Sequence, residues 1–308
     1  MVTGASRGIG RAIAQGLAAR GAAVAVNYRS GKEAADQVVQ TITSAGGHAV
    51  AVPGDISDPN SIHPRIFDTA ESDLGPLDIV VSNAAIAINK PLSDYTLDDY
   101  RATFDTNTRG AFLVLQQAAA RVRDNGRIIA VSTGGTRLLL AGTTLYLGSK
   151  GAVDQFVRGV AMDAGPRGIT INTVSPGFTN TDLLTDDFRA TAADMSPFGR
   201  VGEPEEVAAV VTFLASRRIL GDGAEHRHRR RRHVTPLDPV GPRRSKSLTV
   251  VETDAATAGA AFTAWLGRSR RTERRQAAPA ATGSRTDVRR SGTAPAPWGA
   301  SPAHAHHC

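Results

Sequence analysis

The sequence predicts an α/β protein built on a doubly wound parallel sheet, and two patterns carry this prediction. Five short runs are nearly continuously apolar, as is typical of parallel strands covered on both faces: residues 22–27, 48–53, 77–83, 126–133 and 168–176. Longer segments with apolar residues at helical spacing separate these runs, and several of them end at a glycine. Strand–helix–strand alternation of this kind is the pattern of a doubly wound sheet.

Both ends of this pattern depart from a complete sheet. Only Met1–Thr3 precede Gly4, the first glycine of a turn, whereas a strand usually needs about five or six residues. The alternation stops after residues 213–216. We therefore expect an incomplete first strand and a missing last strand, which would leave the strand at 168–176 as an unpaired edge.

Charge and composition divide the chain at the same point. Residues 1–216 carry a net charge of −4 and residues 217–308 carry +11, which together make the +7 of the 308-residue chain. The second part is rich in Arg, Ala, Pro, Gly and Ser, and little of it is periodic apart from residues 247–252 and 255–267. We predict one domain over 1–216 and a basic, mostly disordered tail over 217–308.

Composition disfavours several classes of protein. The single cysteine, Cys308, permits neither an intrachain disulfide nor a cysteine metal site, and no metal is expected. No apolar run approaches the roughly 18 residues that cross a bilayer, and the first residues lack a secretory signal, so we expect a cytoplasmic protein without a membrane partner. Nucleic acid is not an expected partner, because the basic tail has neither interleaved aromatic residues nor a recognised binding motif.

A glycine-rich turn opens the first predicted helix, with the sequence Thr3-Gly4-Ala5-Ser6-Arg7-Gly8-Ile9-Gly10. Gly4 permits the tight turn, Gly8 lets the backbone approach a pyrophosphate, and Gly10 allows the helix to pack closely on the sheet. Free N–H groups at the start of the helix then face the anion. Between a strand and an amphipathic helix, this turn predicts a dinucleotide site and a Rossmann-like fold.

The Gly-x-x-x-Gly-x-Gly spacing resembles that of the short-chain dehydrogenase/reductase family, and the resemblance covers nearly all of residues 1–216. Residues 196–216 are similar to those of bacterial 3-oxoacyl-carrier-protein reductases. The resemblance implies further cofactor-binding residues: Asp55 with Ile56 at the adenine, Asn83, Ala84 and Ala85 after the fourth strand, and Pro176, Gly177, Thr179 and Thr181 beside the nicotinamide. Ala85 stands where the family usually has glycine.

The choice of cofactor follows from charge. An NAD-specific site uses a carboxylate after the second strand to bind the ribose hydroxyls, but here the segment is Asn27-Tyr28-Arg29-Ser30. Arg29 and Arg7 would instead form charge-assisted hydrogen bonds with a 2′-phosphate. We predict NADP(H) in preference to NAD(H); the alternative is that both arginines are solvated surface residues.

Tyr146 and Lys150 are the predicted centre of the chemistry. Their spacing puts the phenol and the ammonium on one face of a helix, where the positive charge lowers the pKa of the phenol. The phenol then exchanges a proton with a carbonyl or alcohol oxygen while hydride moves between substrate and nicotinamide. The family places a serine 13 residues before this tyrosine; here that is Thr133, with Ser132 as the alternative. The resemblance also implies that Asn107 supports a water and a proton relay to the lysine.

These features predict an NADP(H)-dependent oxidoreductase acting on a carbonyl or alcohol, with 3-oxoacyl thioesters as one candidate. The alternatives are an inactive remnant that at most binds nucleotide, and nucleic-acid binding through the tail. The family implies a homo-oligomer, but the missing last strand would remove part of the surface for assembly. Because a shifted reading frame near 217 is compatible with a family-like last strand, we expect residues 219–308 to be a non-family translation.

Overall fold

The computed structural model describes residues 1–216 and the segment Glu252–Asp254. The strands in these residues are β1 (Val24–Tyr28), β2 (Ala49–Pro53), β3 (Ile79–Ser82), β4 (Arg127–Val131), β5 (Thr170–Ser175) and β6 (Glu252–Asp254). The helices are α1 (Gly8–Ala18), α2 (Lys32–Ser44), α3 (Pro59–Ser61), α4 (Asp68–Leu74), α5 (Leu97–Phe104), α6 (Ala111–Arg121), α7 (Thr144–Ala164), α8 (Asp186–Asp194) and α9 (Pro204–Ala215). Turns of 3-10 helix span Leu92–Asp94, Gly134–Arg137 and Gly165–Arg167, and π-helical turns span Ile62–Phe67 and Asp105–Gly110.

The strands form a parallel sheet with the order of a doubly wound fold. β1 pairs with β2, and β3, β4, β5 and β6 follow one another in a second parallel group. Val2 joins the two groups, because it forms parallel bridges with Val26 of β1 and Val81 of β3. The predicted Rossmann-like α/β sheet is confirmed.

The first strand is as short as the sequence predicts, yet it occupies the centre of the sheet. The Val2 amide donates to Ala25 O at 3.0 Å, and the Thr3 amide donates to Val81 O at 3.0 Å. Val2 is fully buried. These bonds on both sides hold the chain in line up to Gly4, so the glycine turn begins at the carboxyl end of the sheet.

The structure corrects the expectation that β5 is an unpaired edge. Glu252–Asp254 runs parallel to β5, with Thr173 opposite Glu252 and Ser175 opposite Asp254. The backbone N–H and C=O groups of an edge strand accept any extended segment, so this pairing does not need a family-like sequence. The predicted disorder of residues 217–308 and the predicted non-family translation of residues 219–308 lie, apart from Glu252–Asp254, outside the described residues.

The core is divided between the two faces of the sheet. Neighbouring strand residues belong to opposite sides: Val80 and Ile128 pack with α4, α6 and α7, whereas Val81 and Ile129 pack with α1, α2 and α9. This is why the strands are apolar at nearly every position. In the described part of the chain, no helix combines the length and apolarity needed to span a membrane.

Candidate active site

A cavity of about 1450 Å³ lies at the carboxyl ends of the parallel strands. Crevices at this end of a doubly wound sheet are the usual place for ligands. Apart from Asn107, every predicted site residue lines the cavity: Gly4, Ser6, Arg7, Gly8, Ile9, Gly10, Arg29, Asp55, Ile56, Asn83, Ala84, Ala85, Ser132, Thr133, Tyr146, Lys150, Pro176, Gly177, Thr179 and Thr181. Residues far apart in the sequence are thus brought to one site.

The glycine turn has the shape of an anion cradle. Gly4 and Gly8 have φ angles of 61° and 52°, in the left-handed region that favours glycine. A Cβ atom at Gly10 would overlap the Gly4 carbonyl oxygen and lie 2.5 Å from Asn83 Nδ2, so no side chain fits there. α1 begins at Gly8, and Arg7 before it makes no side-chain capping bond. The turn and the helix start therefore fit the pyrophosphate of a dinucleotide.

Two buried polar side chains that sequence reasoning missed hold this turn. Thr3 Oγ1 accepts hydrogen bonds from the Asn83 and Ala84 amides at 2.9 and 3.1 Å. Asn27 Oδ1 accepts from the Gly4 amide at 3.3 Å, and its Nδ2 donates to Val52 O at 3.2 Å. The signal in the sequence was a polar residue inside an otherwise apolar strand, which is buried only when it is hydrogen-bonded.

Asp55 and Ile56 follow β2 and line the cavity. Asp55 Oδ1 accepts hydrogen bonds from both the amide and the hydroxyl of Ser57, each at 2.8 Å. Ile56 is buried, and its carbonyl oxygen would lie 2.7 Å from a Cβ at Gly110. The carboxylate is therefore fixed by its own loop.

Arg29 and Arg7 are the cations at the nucleotide end of the cavity. Both are exposed, and Arg7 lies 3.7 Å from Asp182 in a loose ion pair. Arg29 directly follows β1, where Asn27-Tyr28-Arg29-Ser30 contains no carboxylate. A phosphate group bound near Arg29 would therefore meet positive charge with no carboxylate in the segment after β1, whereas Arg7 has Asp182 beside it.

Tyr146 and Lys150 both project from the first turns of α7. Tyr146 is half-buried; desolvation raises the pKa of its phenol, and a hydrogen bond with the Thr133 side chain opposes this. Lys150 is buried, and its Nζ donates to Val131 O at 2.8 Å. The expectation that the ammonium lowers the Tyr146 pKa is not met in this structure, because burial raises the pKa and Lys150 is not among the groups that oppose it.

Burial also acts on the lysine itself. Desolvation lowers the pKa of Lys150 to about 8, and the negative charge of Asp154 opposes this change. The buried amine therefore titrates close to neutrality, in the range where active-site groups exchange protons.

The two candidate hydroxyls point in different directions. The Thr133 side chain lowers the pKa of the Tyr146 phenol, against the effect of burial, and its Oγ1 accepts from the Gly135 amide at 3.2 Å. Ser132 is buried, and its Oγ lies 3.5 Å from Lys150 O, on the backbone of α7. Successive side chains of an extended segment face opposite sides, so only one of the pair meets the phenol.

Asn107 lies in the π-helical turn Asp105–Gly110 and is fully buried away from the cavity. Its Oδ1 accepts from the Ile86 amide at 2.8 Å, while its Nδ2 donates to Ile86 O at 2.8 Å and to Ser149 Oγ at 3.1 Å. The side chain thus joins the loop after β3 to α7, next to Lys150.

The other end of the cavity is apolar. Six large apolar side chains line it and are also substantially exposed to solvent: Leu138, Leu139, Leu183, Phe188, Met195 and Phe198. The sequence analysis did not single out any of these six residues, of which Leu138 and Leu139 precede α7. Within the described residues, no group of three His, Cys, Asp or Glu side chains is placed to hold a metal ion.

A Rossmann-like sheet with a glycine cradle and a Tyr–Lys pair in one cavity defines the class of nucleotide-dependent oxidoreductases. A family model described as enoyl-(acyl carrier protein) reductase matches residues 4–221. The chain belongs to the short-chain dehydrogenase/reductase family.

Similar proteins include reductases and NADP complexes. Versicolorin reductase stcU of Emericella nidulans is 42% identical over 232 residues, which cover 70% of this chain and 88% of that protein. The structure of a short-chain dehydrogenase from Burkholderia cenocepacia in complex with NADP is 40% identical, with a TM-score of 0.67, covering 70% of this chain and 88% of that one. The structure of the angucycline C-6 ketoreductase LanV with bound NADP is 37% identical, with a TM-score of 0.67, and the match covers 70% of this chain and 87% of that one.

Proposed function

We propose that this chain is an NADP(H)-dependent reductase of ketones, which also runs in the direction of alcohol oxidation. The observation that carries the proposal is that Tyr146, Thr133 and Lys150 line the same cavity as the glycine turn. A proton donor, a second hydroxyl and a cation are thereby placed beside a dinucleotide cradle.

In this proposal Tyr146 donates its phenolic proton to the substrate oxygen during reduction. Thr133 holds the same oxygen through its hydroxyl, since Ser132 is directed to the backbone of α7. The bound dinucleotide supplies the hydride. Lys150, whose Nζ donates to Val131 O at 2.8 Å, holds the start of α7 against the end of β4 and so positions the phenol.

We propose a supporting role for Asn107. Its three side-chain hydrogen bonds hold α7 against the loop after β3, and so set the depth of Lys150 in the site. The water and proton relay that the family resemblance implies stays a proposal for this residue.

The preference for NADP(H) is supported by charge and by similarity. Arg29 and Arg7 lie at the nucleotide end of the cavity, and the segment after β1 has no carboxylate to bind ribose hydroxyls or repel a 2′-phosphate. The similar proteins from Burkholderia cenocepacia and LanV were solved with NADP. Residues that line the cavity would hold the cofactor at the positions named above.

For the substrate we propose a large ketone with a fused-ring, apolar body. The six apolar side chains at the apolar end of the cavity are exposed to solvent. An apolar ligand that binds there would cover this surface and remove it from water. Similar proteins are named as a versicolorin reductase and an angucycline ketoreductase. A 3-oxoacyl thioester is the second candidate, supported by the acyl-carrier-protein description of the matching family model.

The test is oxidation of NADPH with 1-tetralone and with acetoacetyl-CoA, using the full chain and Tyr146→Phe. We expect turnover of the ring ketone, with kcat falling roughly 10²–10⁴-fold in the variant while NADPH still binds. Faster reduction of acetoacetyl-CoA would favour the second candidate. NADPH binding without turnover of any ketone would support the inactive remnant instead.

The expected homo-oligomer also stays a proposal. Large apolar side chains on α5, α6 and α7 are exposed in the described chain: Leu97, Tyr100, Phe112 and Met162. A second copy covering them would bury this surface, and light scattering of the full chain and of Phe112→Asp tests it. The cytoplasmic location and the lack of nucleic-acid binding likewise stay predictions.

A further inference from the structure

Asp154 continues the line of active-site residues along α7. Tyr146, Lys150 and Asp154 follow at intervals of four positions, so they lie one above another on the same helical face. The sequence analysis assigned nothing to Asp154. In the structure its Oδ2 lies 3.3 Å from the Thr136 hydroxyl oxygen, on the turn Gly134–Arg137 that follows Thr133.

Thr136 connects this carboxylate to Thr133. Its Oγ1 lies 3.1 Å from Thr133 O as well as 3.3 Å from Asp154 Oδ2, so one hydroxyl proton serves two acceptors. The backbone carbonyl of Thr133 is thereby joined to α7 two turns after Tyr146. The side chain of the same threonine acts on the Tyr146 phenol, whose pKa it lowers. The hydrogen bonds of Thr136 therefore link the backbone of Thr133 to the helix that carries Tyr146.

The second oxygen of Asp154 gives an independent reason to assign it a role. Oδ1 is buried and has no hydrogen-bond partner among the described residues. Such groups are rare in native proteins because an unpaired buried oxygen costs folding free energy. The negative charge of Asp154 faces Lys150, and it opposes the effect of burial on the pKa of that amine. Asp154 therefore lowers the free energy of unfolding where it stands, and this cost favours a role for it in the site.

We propose that Asp154 and Thr136 are positioning residues, which together hold the Thr133 turn against α7 so that the Thr133 hydroxyl meets Tyr146. The inference rests on the proposed reductase function. Neither residue is expected to touch the cofactor or the reacting carbonyl. Their effect should therefore fall on kcat, through the geometry of proton transfer, and not on binding of NADPH.

The experiment measures kcat and KM for a ring ketone, together with the Kd of NADPH by fluorescence, in the full chain. Thr136→Val removes the hydroxyl without changing the size of the side chain, and Thr136→Ser restores it. Asp154→Ala removes both acceptor and charge. The matched control is Asp163→Ala, an exposed aspartate on the same helix.

We expect kcat to fall roughly tenfold or more in Thr136→Val and Asp154→Ala. Thr136→Ser and Asp163→Ala should stay within about twofold of the wild type, and the Kd of NADPH should not change.

The double variant Thr136→Val/Asp154→Ala separates positioning from general stability. We expect the kcat of the double variant to be no lower than that of the less active single variant. Both changes break the same connection, the one between the Thr133 turn and α7, so the second change has nothing further to remove. Additive losses, failure of Thr136→Ser to restore kcat, or a lowered Tm with unchanged kcat would overturn the inference. If the wild type binds NADPH but reduces no ketone, the proposed function fails first and this inference falls with it.

Discussion

Lys150 Nζ donates a hydrogen bond to Val131 O at 2.8 Å. Val131 is the last residue of β4, directly before the hydroxyl pair Ser132 and Thr133. The bond therefore ties the start of α7 to the end of the central sheet. Tyr146 and Thr133 are thereby kept at the same end of the sheet.

The two hydroxyls at the end of β4 should differ sharply in their effect on catalysis. Thr133→Val should lower kcat roughly 10²–10⁴-fold, because it removes the hydroxyl that meets Tyr146. Ser132→Ala should lower kcat less than about tenfold, since that side chain is directed to Lys150 O. Thr133→Ser, which keeps the hydroxyl, is the matched control. Steady-state kinetics with a ring ketone measures all three, and the opposite ranking would assign the role to Ser132.

The buried lysine should make stability depend on pH. Burial lowers its pKa from 10.5 to about 8, so between these pH values the unfolded chain binds more protons than the folded one. The lysine therefore costs folding free energy below pH 8, by an amount on the order of 3 kcal/mol, and this cost is lost as pH rises toward 10.5. Urea unfolding of wild type and Lys150→Met should show an advantage for the variant at neutral pH that narrows at higher pH. A difference between the two proteins that does not vary with pH would contradict the shifted pKa.

The same group should limit activity at high pH. Catalysis that depends on the ammonium should decline above about pH 8, where the amine loses its proton. The measurement is the pH profile of kcat with saturating NADPH and ketone. A rate that stays level to about pH 10 would show that the charge of Lys150 is not needed.

Arg29 should carry much of the preference for NADPH. Arg29→Ala should lower the ratio of kcat/KM for NADPH over NADH roughly tenfold to a hundredfold, the value of a charge-assisted hydrogen bond to a 2′-phosphate. Arg11→Ala is the control, because Arg11 is an exposed arginine on α1 that is not among the residues lining the cavity. Equal ratios in the two variants would assign Arg29 to the solvated surface.

Close packing at the glycine turn should make Gly10 intolerant of a side chain. Gly10→Ala would place a Cβ 2.5 Å from Asn83 Nδ2, and we expect it to lower the free energy of unfolding by about 1–3 kcal/mol and to weaken NADPH binding. Gly159→Ala is the matched control, because its Cβ meets no atom within 4 Å. That change in mid-helix should stabilise the protein by about 0.5–1 kcal/mol. Urea unfolding and NADPH titration of both variants check this.

The parts of the site that the sequence predicted are those encoded over short distances. The glycine turn depends on backbone conformations within Gly4–Gly10, and the Tyr146–Lys150 pair depends on helical spacing. The alternation of apolar runs predicted the doubly wound sheet for the same reason, since each strand and helix shows its period within a few residues. The shortness of the first strand followed from counting residues before Gly4.

Other features arise from contacts between residues far apart in the chain. Thr3 meets Asn83 across the sheet, and Thr136 meets Asp154 across a turn and a helix. The pairing of β6 with β5 was not expected, because backbone groups pair without regard to the side chains they carry.

By itself the sequence determined the fold class and predicted the anion cradle from local spacing and backbone preference, and it predicted the Tyr146–Lys150 pair from helical spacing together with the preceding glycine turn. Only the tertiary structure decided that the Ser132 hydroxyl is directed to Lys150 O, and that burial raises the pKa of Tyr146. The physical reason is that side-chain direction at the end of a strand, and the desolvation of an ionisable group, depend on what packs around them. No spacing rule within the sequence contains that information.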